Sequence, residues 1–269
     1  MKMVSAAKLK KAQDAITEMR PYSNKLQEIL QNVSASLDNS EGIYSEERGL
    51  NKVLIVGITS NRGLCGGFNN NVIKKIKTLI DSEYKTSNVS ILTVGKKVFD
   101  AFKRTDLVLT SDNLPFKPET IWDDLSFDRS SELAQFLMSQ FLNKNYDKIV
   151  LVYNQFKNAA VQEVMGEQFL PVLPPVSEDN SSSVDYLYEP NKAFILNELI
   201  PKSLKTQFFK ALLDSQASEH GARMTAMHKA TDNASDLIDE LKLSYNKARQ
   251  AAITGEILEI VGGAEALNN

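Results

Sequence analysis

From Lys202 to about Val261 the chain runs roughly sixty residues without a proline, with glycine only at Gly221 and Gly255. No other feature limits the fold as tightly. Pro201 stands where a helix can begin, and Gly262-Gly263 where one can stop. Met224, Met227, Thr231, Ala234, Ile238, Leu241, Tyr245, Ala248 and Ala252 fall on one heptad seam, half of it small enough for a close neighbour. At 1.5 Å per residue this helix is roughly 90 Å long. A body of about 150 residues has a diameter near 40 Å. A helix of that reach is expected to leave the body and project.

A second helical pattern opens the chain, from Lys2 to about Leu37. Leu9, Ala12, Ile16, Met19, Leu26, Leu30, Val33 and Leu37 step by threes and fours, with Ser23 in the one gap. Pro21 interrupts the pattern, but the phase resumes, which predicts one bent helix rather than two. Asp38 to Gly42, "DNSEG", ends it. The two helices join the body by their sequence-proximal ends, so they are expected to run antiparallel. The first spans roughly 55 Å and runs out first. The last roughly 30 Å of the second, "AAITGEILEIVGGAEAL", then has no internal partner. A largely apolar helix alone in water is marginal and sticky, so it needs a sleeve of other subunits.

Between the helices the texture changes. "KVLIVGI", "NVSILTVG", "DLVLT" and "DKIVLVYN" are short apolar runs, separated by helical patterns at about 69–83, 96–104 and 129–144. Alternating strand and helix predicts an open, mostly parallel α/β sheet. "PPVSEDNSSSVD", Pro174 to Asp185, reads as a polar loop. The expected fold class is α/β: a Rossmann-like, non-nucleotide-binding domain over residues 51–200, plus a long antiparallel two-helix coiled coil from residues 1–38 and 202–267.

After "VLIVGI" come Gly57, Gly63, Gly66 and Gly67, which raises the question of a phosphate cradle. The spacing is not Gly-x-Gly-x-x-Gly, the second strand ends in Gly95-Lys96-Lys97 without an acid, and "CGGFNNN" lacks the lysine and hydroxyl that close a P-loop. A tight strand-to-helix turn needing positive φ, or exposed backbone built to touch a protein, accounts for the glycines. A nucleotide-binding α/β enzyme with helical appendages remains the alternative, and a coiled-coil adaptor a third reading. The net charge of −3 gives no pull toward nucleic acid or anionic lipid. The single cysteine, Cys65, allows no internal disulfide and suggests a reducing compartment. Its place in the sequence marks it as a small packed residue rather than a nucleophile. His220 and His228, eight apart on a helix, are too far apart to share a metal and read as surface or seam residues. No run of about 18 apolar residues is present, so no bilayer insertion is expected.

Four segments carry a resemblance: "MKMVSAAKLKKAQ" (Met1 to Gln13), "SNRGLCGGFNNN" (Ser60 to Asn71), "YLYEP" (Tyr186 to Pro190) and "SEHGARMTAMHKATDNASDLI…LSYNKARQAAITGEILEIVGGAEAL" (Ser218 to Leu267). Over essentially its whole length the chain resembles the gamma-subunit family of F-type ATP synthases, of the bacterial type. The resemblance implies a rotor shaft with no catalytic residue, cofactor or metal of its own. It turns inside three alpha and three beta subunits, stands on a membrane c-ring beside epsilon, and lies peripherally on the cytoplasmic face of the inner membrane. It implies alpha/beta contacts at Met1, Lys8, Lys10, Lys11, Arg62, Cys65, Gly66, Arg223, Gln250, Ile253, Thr254 and Glu256. It implies c-ring contacts at Tyr186, Tyr188 and Glu189. Three departures stand out: about twenty residues usual before "MKMVSAAK" are not in this sequence, Asn61 stands where aspartate is common, and no cysteine-bearing insert of the chloroplast type is present.

Overall fold

The computed structural model describes the backbone of residues 2–34, 43–46, 48–110, 114–172 and 192–267, and their side chains except at 24, 27–34, 192–197 and 266–267. Contacts divide it into two units, Met1–Thr225 and Ala226–Asn269.

The first unit is built on a four-stranded sheet in the order β2-β1-β3-β4, where β1 is Lys52–Ile58, β2 Asn88–Val94, β3 Lys148–Phe156 and β4 Gln162–Leu170. β1 pairs in parallel with β2 and β3, and β4 is antiparallel to β3. β1 is a continuous apolar run because both its faces are covered. Val53 and Ile55 point toward α2 (Phe68–Ser82) and α3 (Lys96–Phe102), meeting Val72, Ile76, Leu79, Val98 and Phe102. Leu54, Val56 and Ile58 point the other way, to Leu133, Leu137 and Phe141 of α4 (Phe127–Leu142) and to Leu204, Phe208 and Leu212 of α5 (Lys192–Leu267). Ser126 caps α4, its side chain accepting from the Arg129 N–H.

α1 (Lys2–Ser34) continues through Pro21 as one helix. Its buried positions are Ser5, Leu9, Ala12, Ile16, Ser23 and Leu26, with Met19 partly buried, so the expected three-four spacing is met as far as Leu26; Leu30, Val33 and Leu37 lie outside the residues whose side chains are described. Leu9, Ala12 and Ile16 pack with Phe156 and with Leu213 and Ala217 of α5. Arg20 donates to the Phe156 carbonyl at 3.1 Å and lies 3.7 Å from the buried Asp214 carboxylate. Burial pushes the Asp214 carboxyl upward, and Arg20 and then Lys210 pull against it.

The second unit, taken by itself, is helix: α5 runs to Leu267. From Ala226 that is a rise of roughly 60 Å. Every residue from His228 to Glu265 is exposed except Gly255, which is half-buried. Leu237, Ile238, Leu241, Leu243, Tyr245, Ile253, Ile257, Leu258, Ile260 and Val261 are all among the exposed. Among the described residues no helix is long and apolar enough to cross a membrane.

Several expectations are corrected. α5 begins at Lys192, so Pro201 lies within it rather than before it. Ile200, Leu204 and Phe208 are buried on one face, and that packing carries the helix across a proline that alone would cost about 3 kcal/mol. Gly262-Gly263 does not stop α5, because glycine only lowers helix stability, by about 1 kcal/mol each. "DLVLT" is not a strand. Val108 makes one bridge to Ile91, with hydrogen bonds of 2.7 and 2.9 Å, and three apolar residues are too few to extend the ladder. β4 was not anticipated. The segments Asp38–Gly42 and Pro174–Asp185 fall outside the described residues.

Candidate functional site

β1 delivers the chain at Ile58 into the glycine-rich turn that leads to α2. Thr59 and Ser60 are buried, and so is Cys65. Leu64 (φ 63°) and Gly66 (φ 58°) both adopt the left-handed conformation. They turn the Cys65 side chain inward and leave Leu64 68% exposed. Beneath the turn the polar groups satisfy one another. The Ser60 N–H donates to Asn69 Oδ1 at 3.0 Å, Asn69 Nδ2 donates to Cys65 Sγ at 3.1 Å, and the Ser60 hydroxyl lies 2.6 Å from the Arg62 carbonyl. Asn61 uses both ends of its amide, accepting from the Lys96 N–H at 3.0 Å and donating to the Glu119 carbonyl at 2.9 Å. The turn thus meets the expectation of positive φ at a glycine.

In an open parallel sheet the ligand crevice lies beyond the carboxyl ends of the strands, where the strand order reverses. Here that point is between β1 and β3, and α5 fills it. Ser218 donates its hydroxyl to the Asn154 carbonyl at 3.0 Å, and Asn154 Nδ2 donates to the Phe68 carbonyl at 3.1 Å. Gly221 lies so close to the β3–β4 loop that a Cβ on it would stand 3.2 Å from the Ala159 oxygen. Thr225 donates to that same oxygen at 3.2 Å. The carboxyl end of β3 is thus in contact with α5.

Arg223 closes the arrangement. Its Nη1 pairs with Glu219, and its Nη2 donates to the carbonyls of Arg62 (3.2 Å) and Gly63 (3.3 Å). The side chains of Arg223 and Glu219 are only 12% and 13% exposed. Burial raises the Glu219 carboxyl, and Arg223, Lys8 and Arg62 lower it. Burial also raises the Cys65 thiol, against Ser60 and Arg223. A cysteine held protonated in this way is a packed residue. His220 is half-buried rather than on the surface. Burial, helped by Arg223 and Lys8, lowers its pKa to about 4, and its Nδ1 has no hydrogen-bond partner.

Of the residues singled out from the sequence, Lys8, Arg62, Cys65, Gly66 and Arg223 gather around this turn. Lys8, Lys10, Lys11, Arg62 and Gly66 are exposed, whereas Cys65 is buried and Arg223 nearly so. Arg223 is not the solvated arginine that a helix position suggests. Gln250, Ile253, Thr254 and Glu256 are exposed on the second unit. Met1, Tyr186, Tyr188 and Glu189 lie outside the described residues. Sequence reasoning missed Leu64 and Glu219. The four-residue spacing of Glu219 and Arg223 was a readable ion-pair signal, but what the pair would touch was not. Among the described residues no group of three or more His, Cys, Asp or Glu side chains could hold a metal ion.

Comparison with known proteins agrees with this architecture. The family model described as ATP synthase matches residues 1–267. The ATP synthase gamma chain of Christiangramia forsetii is 61% identical over 269 residues, covering 100% of this chain and 92% of that one. The gamma chain of Geotalea daltonii is 40% identical over 268 residues, covering 99% and 91%. Among solved structures, the central stalk and c-ring assembly of Tetrahymena thermophila mitochondrial ATP synthase contains a chain of the same fold, with a TM-score of 0.59, 24% identity, and coverage of 86% of this chain and 97% of that one. The Euglena gracilis mitochondrial ATP synthase gives a TM-score of 0.55 at 19% identity, covering 97% and 95%. By sequence along nearly its whole length, and by fold, the chain belongs to the ATP synthase gamma-chain family.

Proposed function

We propose that the chain is the rotor shaft of the central stalk, passing ion-driven rotation of a membrane ring to the catalytic subunits of an ATP synthase. It does no covalent chemistry. An asymmetric shaft presents a different face to each catalytic subunit in turn, and the sites open and close because those contacts differ in free energy. On this reading α1 and α5 form an antiparallel coiled coil. Met1, Lys8, Lys10, Lys11, the turn residues Arg62, Cys65 and Gly66, and Arg223, Gln250, Ile253, Thr254 and Glu256 serve the alpha and beta contacts. Tyr186, Tyr188 and Glu189 stand on the c-ring, with epsilon alongside, at the cytoplasmic face of the inner membrane. The three functional segments are residues 1–38, 51–200 and 202–267.

The observation that carries the reading is the exposed apolar surface of the second unit. Ile253, Ile257, Leu258, Ile260 and Val261 are 48–71% exposed. Sheathing each is worth about 1 kcal/mol. Glu256, Glu259 and Glu265 are the only charges from Ile253 onward, so a collar around this segment meets few electrostatic traps per turn. The test is a pull-down with alpha and beta subunits, comparing the full chain with one ending at Gln250. The shortened chain should be recovered poorly; equal recovery of both would remove the sleeve.

A further inference from the structure

The turn after β1 holds a conformation its sequence does not favour. A leucine at φ 63° lies in the left-handed region that a residue with a side chain rarely adopts. Such a residue persists only where its surroundings over-determine it. Two constraints act here. From below, Cys65 is packed at 1% exposure and accepts from Asn69. From the side, one guanidinium group binds two successive carbonyls, those of Arg62 and Gly63, immediately before the strained residue. Glu219, one helical turn away, fixes the other arm of that guanidinium. A planar fork carrying several donors can do this; a lysine ammonium cannot reproduce it.

We infer that Arg223, braced by Glu219, is a positioning residue that clamps the Arg62–Gly63 carbonyls and so holds Leu64 outward at the tip of the turn. Resting on the contact reading above, this makes Leu64 and its flanking peptides the surface the turn offers, with the guanidinium working from behind.

Cys65 is the only thiol in the chain and lies directly under the clamped peptides, so the rate at which a maleimide modifies the folded full-length protein reads the opening of the turn. Arg223→Ala should raise that rate about tenfold or more. Arg223→Lys should also raise it, since it keeps the charge but not the fork. Arg48→Ala removes a different tether, to Glu46 and the Phe141 carbonyl, and should leave the rate within about twofold. The exchanged pair Glu219→Arg with Arg223→Glu restores opposite charges without restoring donors to the two carbonyls, and should remain fast. A wild-type rate for Arg223→Ala overturns the clamp. So does an equal acceleration by Arg48→Ala, which would mean that labelling follows global unfolding. Return of the exchanged pair to the wild-type rate overturns it as well. The contact reading is tested separately: if Leu64→Ser in the reconstituted complex assembles and supports ATP hydrolysis at the wild-type rate, the contact fails while the clamp stands.

Discussion

Replacing Gly95, the residue between β2 and α3, by alanine should destabilise the first unit strongly. Gly95 sits at φ 117°, ψ 147°, a region essentially closed to residues with a side chain. That conformation alone costs about 1–3 kcal/mol. The added Cβ would stand 2.1 Å from the Thr59 oxygen and 2.8 Å from its carbonyl carbon, and these are backbone atoms that cannot swing aside. Moving Thr59 breaks its N–H bond to the Val94 carbonyl (2.8 Å) or its hydroxyl's bond from the Val98 N–H (3.0 Å). Moving Gly95 instead loosens the Lys96 N–H from Asn61 (3.0 Å). Each buried loss adds about 1–3 kcal/mol. With one such bond lost the sum is about 2–6 kcal/mol, a large part of the stability of an ordinary domain. Urea unfolding followed by fluorescence of Trp122, the only tryptophan, reports on this unit without signal from the exposed helix. Gly263→Ala, which meets nothing within 4 Å, is the control and should leave the midpoint unchanged. A Gly95→Ala protein within about 1 kcal/mol of wild type would refute the reasoning.

Three further outcomes are expected. His220 has a folded pKa lowered to about 4 from 6.5, so below pH 6.5 the unfolded chain binds the extra proton. Stability should therefore fall as pH drops from about 6.5 and level off near 4. The loss is on the order of 2 kcal/mol, less than the full shift because the ring keeps some solvent contact; denaturant midpoints across that range, flattened in His220→Gln, check it. Arg20→Met leaves the buried Asp214 carboxylate without its nearest cation and should cost about 1–3 kcal/mol at neutral pH, more than Arg20→Met costs in an Asp214→Asn background; a double-mutant cycle measures the difference. Asn61→Leu removes both of its hydrogen bonds and should cost about 1–3 kcal/mol. Asn61→Asp keeps the acceptor at the α3 N-terminus and should cost less than about 1 kcal/mol, by the same Trp122 assay.

What could be read from the sequence was what depends on period and local chemistry. The three-four steps of α1 are buried where the spacing puts them, down to Ser23, because a heptad stripe determines which face is covered. β1, β2 and β3 were legible because strands covered on both faces are written as unbroken apolar runs. β4 was not, because an edge strand carrying Glu163, Gly166 and Glu167 is half-exposed and lacks that signature. The hairpin signal was nevertheless present in Asn158, whose side chain accepts from the N–H groups of Ala160 and Val161. Pro201 misled because tertiary packing outweighed a local penalty. The engagement of Arg223 was illegible for a different reason: its acceptors are carbonyls some 160 residues earlier, and carbonyls carry no sequence signature.

The carboxyl end of the sheet is a socket with its plug already in place. Ala217 and Ser218 are fully enclosed there. Ser218→Gly would remove the hydroxyl bond to the Asn154 carbonyl that seats the helix there. A change that loosened this seat would also loosen the glycine turn, because Arg223, which holds the Arg62 and Gly63 carbonyls, hangs from the same helix.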